Sequence, residues 1–316
     1  MSTMARAAAP PRVSVVQIDL LNVGLMVGTA LLAAQIPFEL FLFSYAVLGP
    51  LHYLTEISWL HDRGYFTTGR WDAVALVPLA AVGLLNYLQL VQWDGAVVLA
   101  VVVSAGITFA RAVRTKLVVA ALAVVASLFV TRWGPAALFF VVLVPTLVHV
   151  FLFTGLFILH GAMRHRSATG YASLVVFLAC GALLLFHHPP AAHYKVSVSS
   201  ARIMTDFTML IDPLARLFPQ PTGWDALAAI GRFIAFAYTY HYLNWFSKTQ
   251  VIRWHEVGRA RLGIVVALSV ASVALYAIDY HLGIVTLYFL SLLHVLLELP
   301  LDLRTIVAIT GRFAPA

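Results

Sequence analysis

Apolar stretches long enough to cross a lipid bilayer recur along almost the whole sequence, and they constrain the fold more than any other feature. A helix needs about 20 predominantly apolar residues to span the hydrocarbon core. Hydrophobic residues make up 62% of the 316 residues and charged residues only 10%, and a soluble domain of this length cannot bury so much apolar surface. The sequence therefore predicts an all-α integral membrane protein whose main partner is the lipid bilayer.

The apolar stretches number about ten, which predicts a bundle of about ten transmembrane helices. We place them at residues 13–36, 37–60, 71–92, 95–112, 115–132, 136–163, 170–187, 225–248, 259–280 and 282–303. Together they form a single polytopic membrane domain over residues 13–303. The fourth and fifth stretches are short, so nine spans remain an alternative to ten.

Lysine and arginine are distributed unevenly between the connections, and this predicts the orientation of the bundle. With ten spans and a cytoplasmic N-terminus, 15 of the 20 basic residues fall on the cytoplasmic side, four fall on the other side, and Arg232 lies within the eighth span. Basic residues favour cytoplasmic connections, so both termini are expected in the cytoplasm. The net charge of +7 comes from these short groups between apolar stretches, which argues against nucleic acid as a partner.

Three segments lie outside or between the predicted spans. Residues 1–12 are rich in alanine and proline and are expected to be a disordered tail, and residues 304–316 are expected to be a cytoplasmic tail. Residues 188–224 form the one long connection, on the non-cytoplasmic side. Within it, the segment MTDFTMLIDPLARLF has apolar residues at helical spacing, which predicts a helix lying along the membrane interface.

Two of the predicted spans carry a histidine and, four residues later, a glutamate, both well inside the apolar stretch. His52 and Glu56 form the pair in the second span, and His294 and Glu298 form the pair in the tenth. Side chains four residues apart lie on one face of a helix, one turn apart. Ionisable groups at this depth are costly in a membrane and usually mark a functional site.

Four membrane-embedded histidines fall at similar depths. At about 1.5 Å per residue, His52 and His294 lie roughly 12 Å, and His241 roughly 10 Å, from the cytoplasmic ends of their spans. The same calculation places His149 roughly 6 Å further from the cytoplasm. Because imidazole nitrogens are the commonest metal ligands in proteins, these four histidines predict a metal site within the membrane.

Three further side chains are assigned catalytic roles beside the predicted metal. Glu56 and Glu298 act either as direct ligands or as acceptors for the imidazole N–H groups, and the sequence leaves both roles open. Tyr238 precedes His241 by three residues in the aromatic eighth span. This position predicts that Tyr238 lines a tunnel for an apolar substrate.

The donor set favours non-haem iron, which accepts histidine-rich ligation and leaves positions open for dioxygen. The sequence contains neither the HExxH motif of zinc hydrolases nor the HxxxH and HxxHH boxes of membrane desaturases. It therefore predicts a membrane oxidoreductase with one or two iron ions, which uses dioxygen to attack a small apolar molecule such as a lipid or isoprenoid. Two alternatives remain: a haem-binding membrane subunit, and a proton-coupled transporter in which histidines and carboxylates relay protons.

The segment GPLHYLTE, residues 49–56, resembles the GxPHGxxD signature of the bacterial membrane β-carotene cleavage dioxygenases related to the bacteriorhodopsin-related protein. In this chain Tyr53 replaces the small residue of the signature and Glu56 replaces the aspartate. The resemblance implies a polytopic protein of the bacterial inner membrane that holds iron through membrane-embedded histidines and cleaves a carotenoid-type substrate. It assigns one residue of this chain, His52, as a ligand.

Overall fold

The computed structural model describes residues 14–93, 95–132, 147–186 and 226–313. In these ranges the chain is almost entirely helical, and it contains no β-strand. The predicted disordered tail at residues 1–12 and the predicted long connection at 188–224, with its interfacial helix, lie outside the described residues, as does the first part of the sixth predicted span.

Most of the helix boundaries lie within a few residues of the predicted spans. In chain order the helices are α1 (Val15–Gln35), α2 (Pro37–Phe43), α3 (Gly49–His61), α4 (Leu76–Tyr87), α5 (Gly95–Phe109), α6 (Val113–Thr131), α7 (Thr154–His165), α8 (Ala168–Phe186), α9 (Ala226–Ser247), α10 (Thr249–Ile252), α11 (Arg259–Ile278) and α12 (Tyr280–Phe313). Two short 3-10 helices, Gly64–Phe66 and Asp72–Ala75, lie between α3 and α4.

Seven of the described helices are long and apolar enough to cross a membrane. They are Val15–Gln35, Pro37–His61, Val113–Val130, Leu147–His165, Ala168–Phe186, Arg259–Ile278 and Tyr280–Gly311. Two further apolar helices, Asp72–Tyr87 and Gly95–Phe109, are shorter. The predicted class, an all-α protein with membrane-spanning helices, therefore agrees with the helices that form.

Two π-helical segments interrupt the regular helices close to the predicted site. Ser44–Leu48 joins α2 to α3, and residues 147–153 lead directly into α7. The first segment ends about one turn before His52, and the second contains His149. Single π-helical turns are rare and are found frequently at functional sites, because they change the direction in which side chains project.

The last helix is longer than predicted. We expected the tenth span to end at residue 303, whereas α12 continues without interruption to Phe313, over 34 residues. Pro300 lies inside it, and such a proline is tolerated in membrane proteins when neighbouring helices and local adjustments satisfy the freed backbone groups. The consequence for the site is that Asp302 lies within the helix, where its side chain is fully buried.

The buried residues form two hydrophobic clusters. The larger surrounds α9 and contains aromatic side chains from four helices, among them Phe38, Tyr53, Phe177 and Tyr240. The smaller lies around α12 and contains Leu76 from α4 and Ile107 from α5. Helix α12 also packs against α3 and α7, so the helices that carry the predicted histidines meet in the interior of the bundle.

Candidate metal centre

The structure brings the four predicted histidines together from four different segments. His52 is on α3, His149 is in the π-helical segment before α7, His241 is on α9 and His294 is on α12. Their exposed fractions are 1%, 2%, 7% and 2%, so all four imidazoles are shielded from both water and lipid. Buried imidazoles need partners, and here each imidazole has another imidazole among its partners.

The four rings are arranged in a closed circuit. Nε2 of His52 lies 3.1 Å from Nε2 of His241, and Nε2 of His149 lies 3.2 Å from Nε2 of His294. The circuit is completed by ring-centre distances of 5.2 Å between His52 and His294 and 5.2 Å between His149 and His241. Two ligands at right angles on one ion, each about 2.1 Å from it, lie about 3 Å apart. Both measured Nε2 pairs have this separation.

In two of the histidines, a hydrogen bond donated by Nδ1 determines that Nε2 carries no proton. The hydroxyl of Thr154 donates to the carbonyl of Val150 at 2.7 Å, so its oxygen accepts from Nδ1–H of His241 at 2.9 Å. Nδ1–H of His294 donates to the carbonyl of Ser291 at 2.6 Å. Both arrangements leave Nε2 without a proton and pointing into the circuit, which is the form that binds a metal.

Three buried carboxyl groups border the imidazoles. Oε2 of Glu56 lies 3.1 Å from Nε2 of His52, and Oε2 of Glu298 lies 3.5 Å from Nε2 of His149. Both glutamate side chains also line a cavity in the bundle. The two glutamates predicted from the sequence are therefore both brought to the histidines.

The third carboxyl group, Asp302, was missed by the sequence analysis. Its Oδ2 lies 3.9 Å from Nδ1 of His149. The signal that could have found it is the spacing of His294, Glu298 and Asp302, which repeats every four residues along one face of α12. Asp302 lies inside the predicted span 282–303, but we followed the histidine–glutamate pairs and did not extend their spacing to it.

Several polar atoms of this group have no hydrogen-bond partner among the described residues. They are Nδ1 of His52, Oε2 of Glu56, Nδ1 of His149, Oε2 of Glu298 and both carboxyl oxygens of Asp302. Each buried polar atom left unpaired costs about 1–3 kcal/mol, and more if it is charged. A cation between the Nε2 atoms and the glutamates would satisfy the two glutamate oxygens, so the donor set fits a metal ion.

The donors divide into two overlapping groups of three, in each of which the atoms lie within 4.8 Å of one another. One group is His52, His241 and His294, and the other is His149, His294 and Glu298. His294 belongs to both, but its Nδ1–H is used by the carbonyl of Ser291, so only Nε2 can bind a metal. One nitrogen lone pair binds one ion, and the two groups therefore behave as halves of a single site.

Aromatic side chains enclose the circuit on one side. The ring of Tyr53 stacks on His294 at 4.4 Å, and its hydroxyl lies 2.5 Å from that of Tyr242, whose ring is 4.9 Å from His52. Tyr238, to which we assigned a catalytic role, lies one helical turn away from Tyr242 and packs edge-on against Phe41 at 5.2 Å. The structure thus brings Tyr53 and Tyr242 to the imidazoles, and it places Tyr238 in the layer behind them. The role assigned to Tyr238 stays a prediction.

Sequence spacing hid the contribution of Tyr242. We followed Tyr238 and His241, three residues apart in the eighth span, whereas Tyr242 is the immediate neighbour of His241 and lies one turn after Tyr238. On the other flank, the indole N–H of Trp245 donates to the hydroxyl of Thr55 at 3.0 Å, which fixes its ring 5.6 Å from that of His52. The imidazoles are therefore held in a rigid, largely aromatic surround.

A cavity of about 360 Å³ reaches the group, and His52, Glu56, His241 and Glu298 line its inner end. A small molecule can therefore approach the imidazoles.

Comparisons of the chain with protein-family models, curated proteins and solved structures give no match, so the resemblance to the carotenoid-cleaving membrane dioxygenases stays a prediction based on residues 49–56.

Proposed function

We propose that this protein is a membrane-embedded non-haem iron oxygenase that uses dioxygen to oxidise a lipid or isoprenoid-type molecule. The observation that carries the proposal is the convergence of four buried imidazoles, with Nε2 atoms of His52 and His241 and of His149 and His294 at separations suited to one ion. Histidine-rich sites with neighbouring carboxylates suit iron, and four protein nitrogens leave coordination positions for small molecules. Iron, when bound, supplies the activation of dioxygen.

The residues of this chain have distinct tasks in the proposed reaction. Thr154 and Ser291 hold the imidazoles of His241 and His294 in the metal-binding tautomer. Glu56 and Glu298 lie beside His52 and His149, where their carboxyl groups can bind the ion or accept a proton from the imidazoles. The aromatic surround excludes water, which limits side reactions of oxidised intermediates.

Haem fits this geometry less well than a single iron ion. Two axial imidazoles of a haem lie on opposite faces of the porphyrin, which places their donor atoms about 4 Å apart with the macrocycle between them. The Nε2 pairs of 3.1 Å and 3.2 Å are shorter, and the rings of the four histidines contact each other edge to face. These contacts leave no slot for a porphyrin among the four rings.

We also propose ten spans with both termini in the cytoplasm. The seven long apolar helices, the two shorter ones and α9 correspond one to one with the ten predicted spans. Helix α9 has 22 residues, enough to cross the hydrocarbon core, although polar side chains interrupt its apolar character. The charge distribution and the family resemblance support placing the protein in a bacterial inner membrane as a multi-pass protein.

Elemental analysis and an optical spectrum of the same detergent-purified sample test the proposed function. We expect about one iron per chain and no Soret band. A Soret band would instead indicate the haem-binding subunit. Absence of any stoichiometric metal, in protein that is folded and was expressed with iron, would remove the oxygenase proposal.

A proton-coupled transporter is the second candidate, and one observation favours it. The carboxyl groups of Glu56 and Glu298 line the inner end of a cavity, as a proton-coupling site requires. The test is accumulation of small organic acids and amines by proteoliposomes under an imposed pH gradient. Uptake that is abolished by Glu56→Gln, in protein without bound iron, would favour transport over oxidation.

A further inference from the structure

The cavity that reaches the four histidines opens at the ends of helices. Its exposed lining residues are Val15, Arg164, His165 and Val251. Val15 is the first residue of α1, Arg164 and His165 are the last residues of α7, and Val251 is in the short helix after α9. The opening therefore faces one surface of the membrane, and a ligand can enter there without passing between helices from the lipid.

The walls of the cavity are of two kinds. Apolar side chains, including those of Phe157 and Ile158, line much of the wall, together with polar side chains such as Asn244. Lys248, which directly follows α9, lies closer to the opening than the imidazoles do. A cavity with a largely apolar wall and a basic group near its opening suits an amphipathic ligand, and its volume of about 360 Å³ is at the lower end of the range for small-molecule sites.

Lys248 is the basic group closest in sequence to the imidazoles. Its ammonium group has no ion pair or hydrogen bond among the described residues, and its side chain is half-buried. Asp19 also lines the cavity, and its negative charge acts on Lys248. Its Oδ2 accepts hydrogen bonds from Ser167 at 2.8 Å and Thr169 at 2.6 Å. Arg164, exposed at the opening, adds a second positive charge. Two positive charges against one carboxylate leave the mouth of the cavity positive, so it attracts an anion.

We propose that the cavity binds an amphipathic molecule with a carboxylate or phosphate head group at Lys248 and an apolar chain directed at the imidazoles. Lys248 follows His241 by seven residues, which corresponds to about 10 Å along the helix. A chain that spans this distance places a carbon several bonds from the head group beside the metal. The oxidation of that carbon rests on the proposed function, whereas the binding of the ligand does not require iron.

Equilibrium dialysis against the protein in lipid nanodiscs tests the assignment, with radiolabelled decanoate as the probe and protein-free nanodiscs as the background. We expect saturable binding of about one decanoate per chain. Methyl decanoate, which has the chain without the charge, and butyrate and inorganic phosphate, which have the charge without the chain, should compete at least tenfold more weakly. Effective competition by methyl decanoate would overturn the role of the anion, and effective competition by butyrate or phosphate would overturn the role of the chain.

Variants locate the binding site. Lys248→Gln should weaken decanoate binding at least fivefold, and Lys248→Arg should retain it. Lys116→Gln is the matched control, because Lys116 pairs with Asp72 at 2.6 Å outside the cavity, and it should leave binding unchanged. Equal binding by wild type and Lys248→Gln, with unchanged melting temperatures, would contradict the proposal.

Chelator-treated protein separates this proposal from the proposed function. Equal binding of decanoate to untreated and to chelator-treated protein would support the ligand assignment. If the untreated protein also never contains stoichiometric iron, the oxygenase proposal is removed while the ligand assignment stands. Stoichiometric iron without decanoate binding would support the metal site and overturn the ligand assignment.

Discussion

Helices α6 and α9 have similar lengths but opposite surroundings. Every residue from 233 to 242 in α9 is buried, on all faces of the helix, whereas Ala123 and Ser127 are the buried positions among residues 113–130 of α6. Over residues 117–130 the exposed faces of α6 are apolar, as those of a lipid-facing helix must be, since a polar group there would lie in hydrocarbon. Helix α9 carries His241 and Asn244 because other helices shield it. In this chain, uninterrupted apolar sequences indicate the helices of the lipid-facing shell. Polar residues that interrupt an apolar sequence indicate the site.

The largest expected effect comes from removing a histidine of the circuit. His241→Ala on α9 deletes a nitrogen 3.1 Å from that of His52, so we expect the iron affinity to fall more than about 100-fold. His281→Ala is the matched control, because His281 is exposed and outside the group. Iron content after gel filtration measures both. Equal loss of iron from the two variants would show that the buried position is not special.

The carboxyl groups come next. Asp302→Asn and Glu298→Gln should each lower iron affinity about 10- to 100-fold, which is typical for groups that orient or complete a metal site. Glu256→Gln is the control, because Glu256 pairs with Arg253 on the exposed surface. Metal titration with a competing chelator gives the affinities. If Asp302→Asn binds iron as tightly as wild type, its approach to His149 has no part in the site.

A smaller effect is expected where a hydrogen bond only orients a ligand. Thr154→Val keeps the shape of the side chain but removes the oxygen that accepts from Nδ1–H of His241 at 2.9 Å. We expect about a tenfold loss of iron affinity, with partial recovery in Thr154→Ser. A loss as large as that of His241→Ala would mean that the substitution disrupts the helix packing, which the melting temperature would reveal.

Acidification should release the metal without unfolding the helices. Metal binding needs imidazoles without a proton on the ligating nitrogen and ionised carboxylates, so protons compete with the ion as the pH falls. Because histidine charges between pH 5 and 8, dialysis at about pH 5 should remove most of the iron that is retained at about pH 7.5. Retention of iron at the lower pH, with the helical circular dichroism signal unchanged, would contradict ligation by exchangeable imidazoles.

The smallest effect is expected on α6. Leu122 is 62% exposed on its lipid-facing surface, so Leu122→Ala should leave the iron content unchanged and alter stability by less than about 0.5 kcal/mol. Iron analysis and thermal unfolding in detergent check this. A large loss of iron from Leu122→Ala would show that a residue of the lipid-facing shell affects the metal site. It would also indicate a partner that covers α6.

Much of the site was predictable because straight helices convert residue number into depth. His52, His241 and His294 were expected in one layer, and they meet in the structure. His149 was expected roughly 6 Å away at the usual rise per residue. Its Nε2 lies 3.2 Å from that of His294 instead, since it sits in a π-helical segment to which the rise and rotation of a straight helix do not apply.

Other parts of the site depend on features that apolar periodicity does not carry. Asp302 was not recognised, because sequence spacing alone does not show that its carboxyl group is buried near His149. The choice between Tyr238 and Tyr242 depends on the rotation of α9 about its axis, and that rotation is determined by packing against α1, α2 and α8. The fold class thus follows from composition and run length, whereas the exact set of contacting side chains follows from tertiary packing.

X-ray absorption at the iron edge of the purified protein tests the central claim most directly, because it reports the atoms bound to the metal. The account predicts nitrogen or oxygen neighbours at about 2.1 Å, with the outer-shell scattering of three or four imidazoles and no sulfur. In His241→Ala protein that retains some iron, the imidazole count should fall by one. A spectrum with one imidazole or none, or with the pattern of a porphyrin, would contradict a four-histidine iron site.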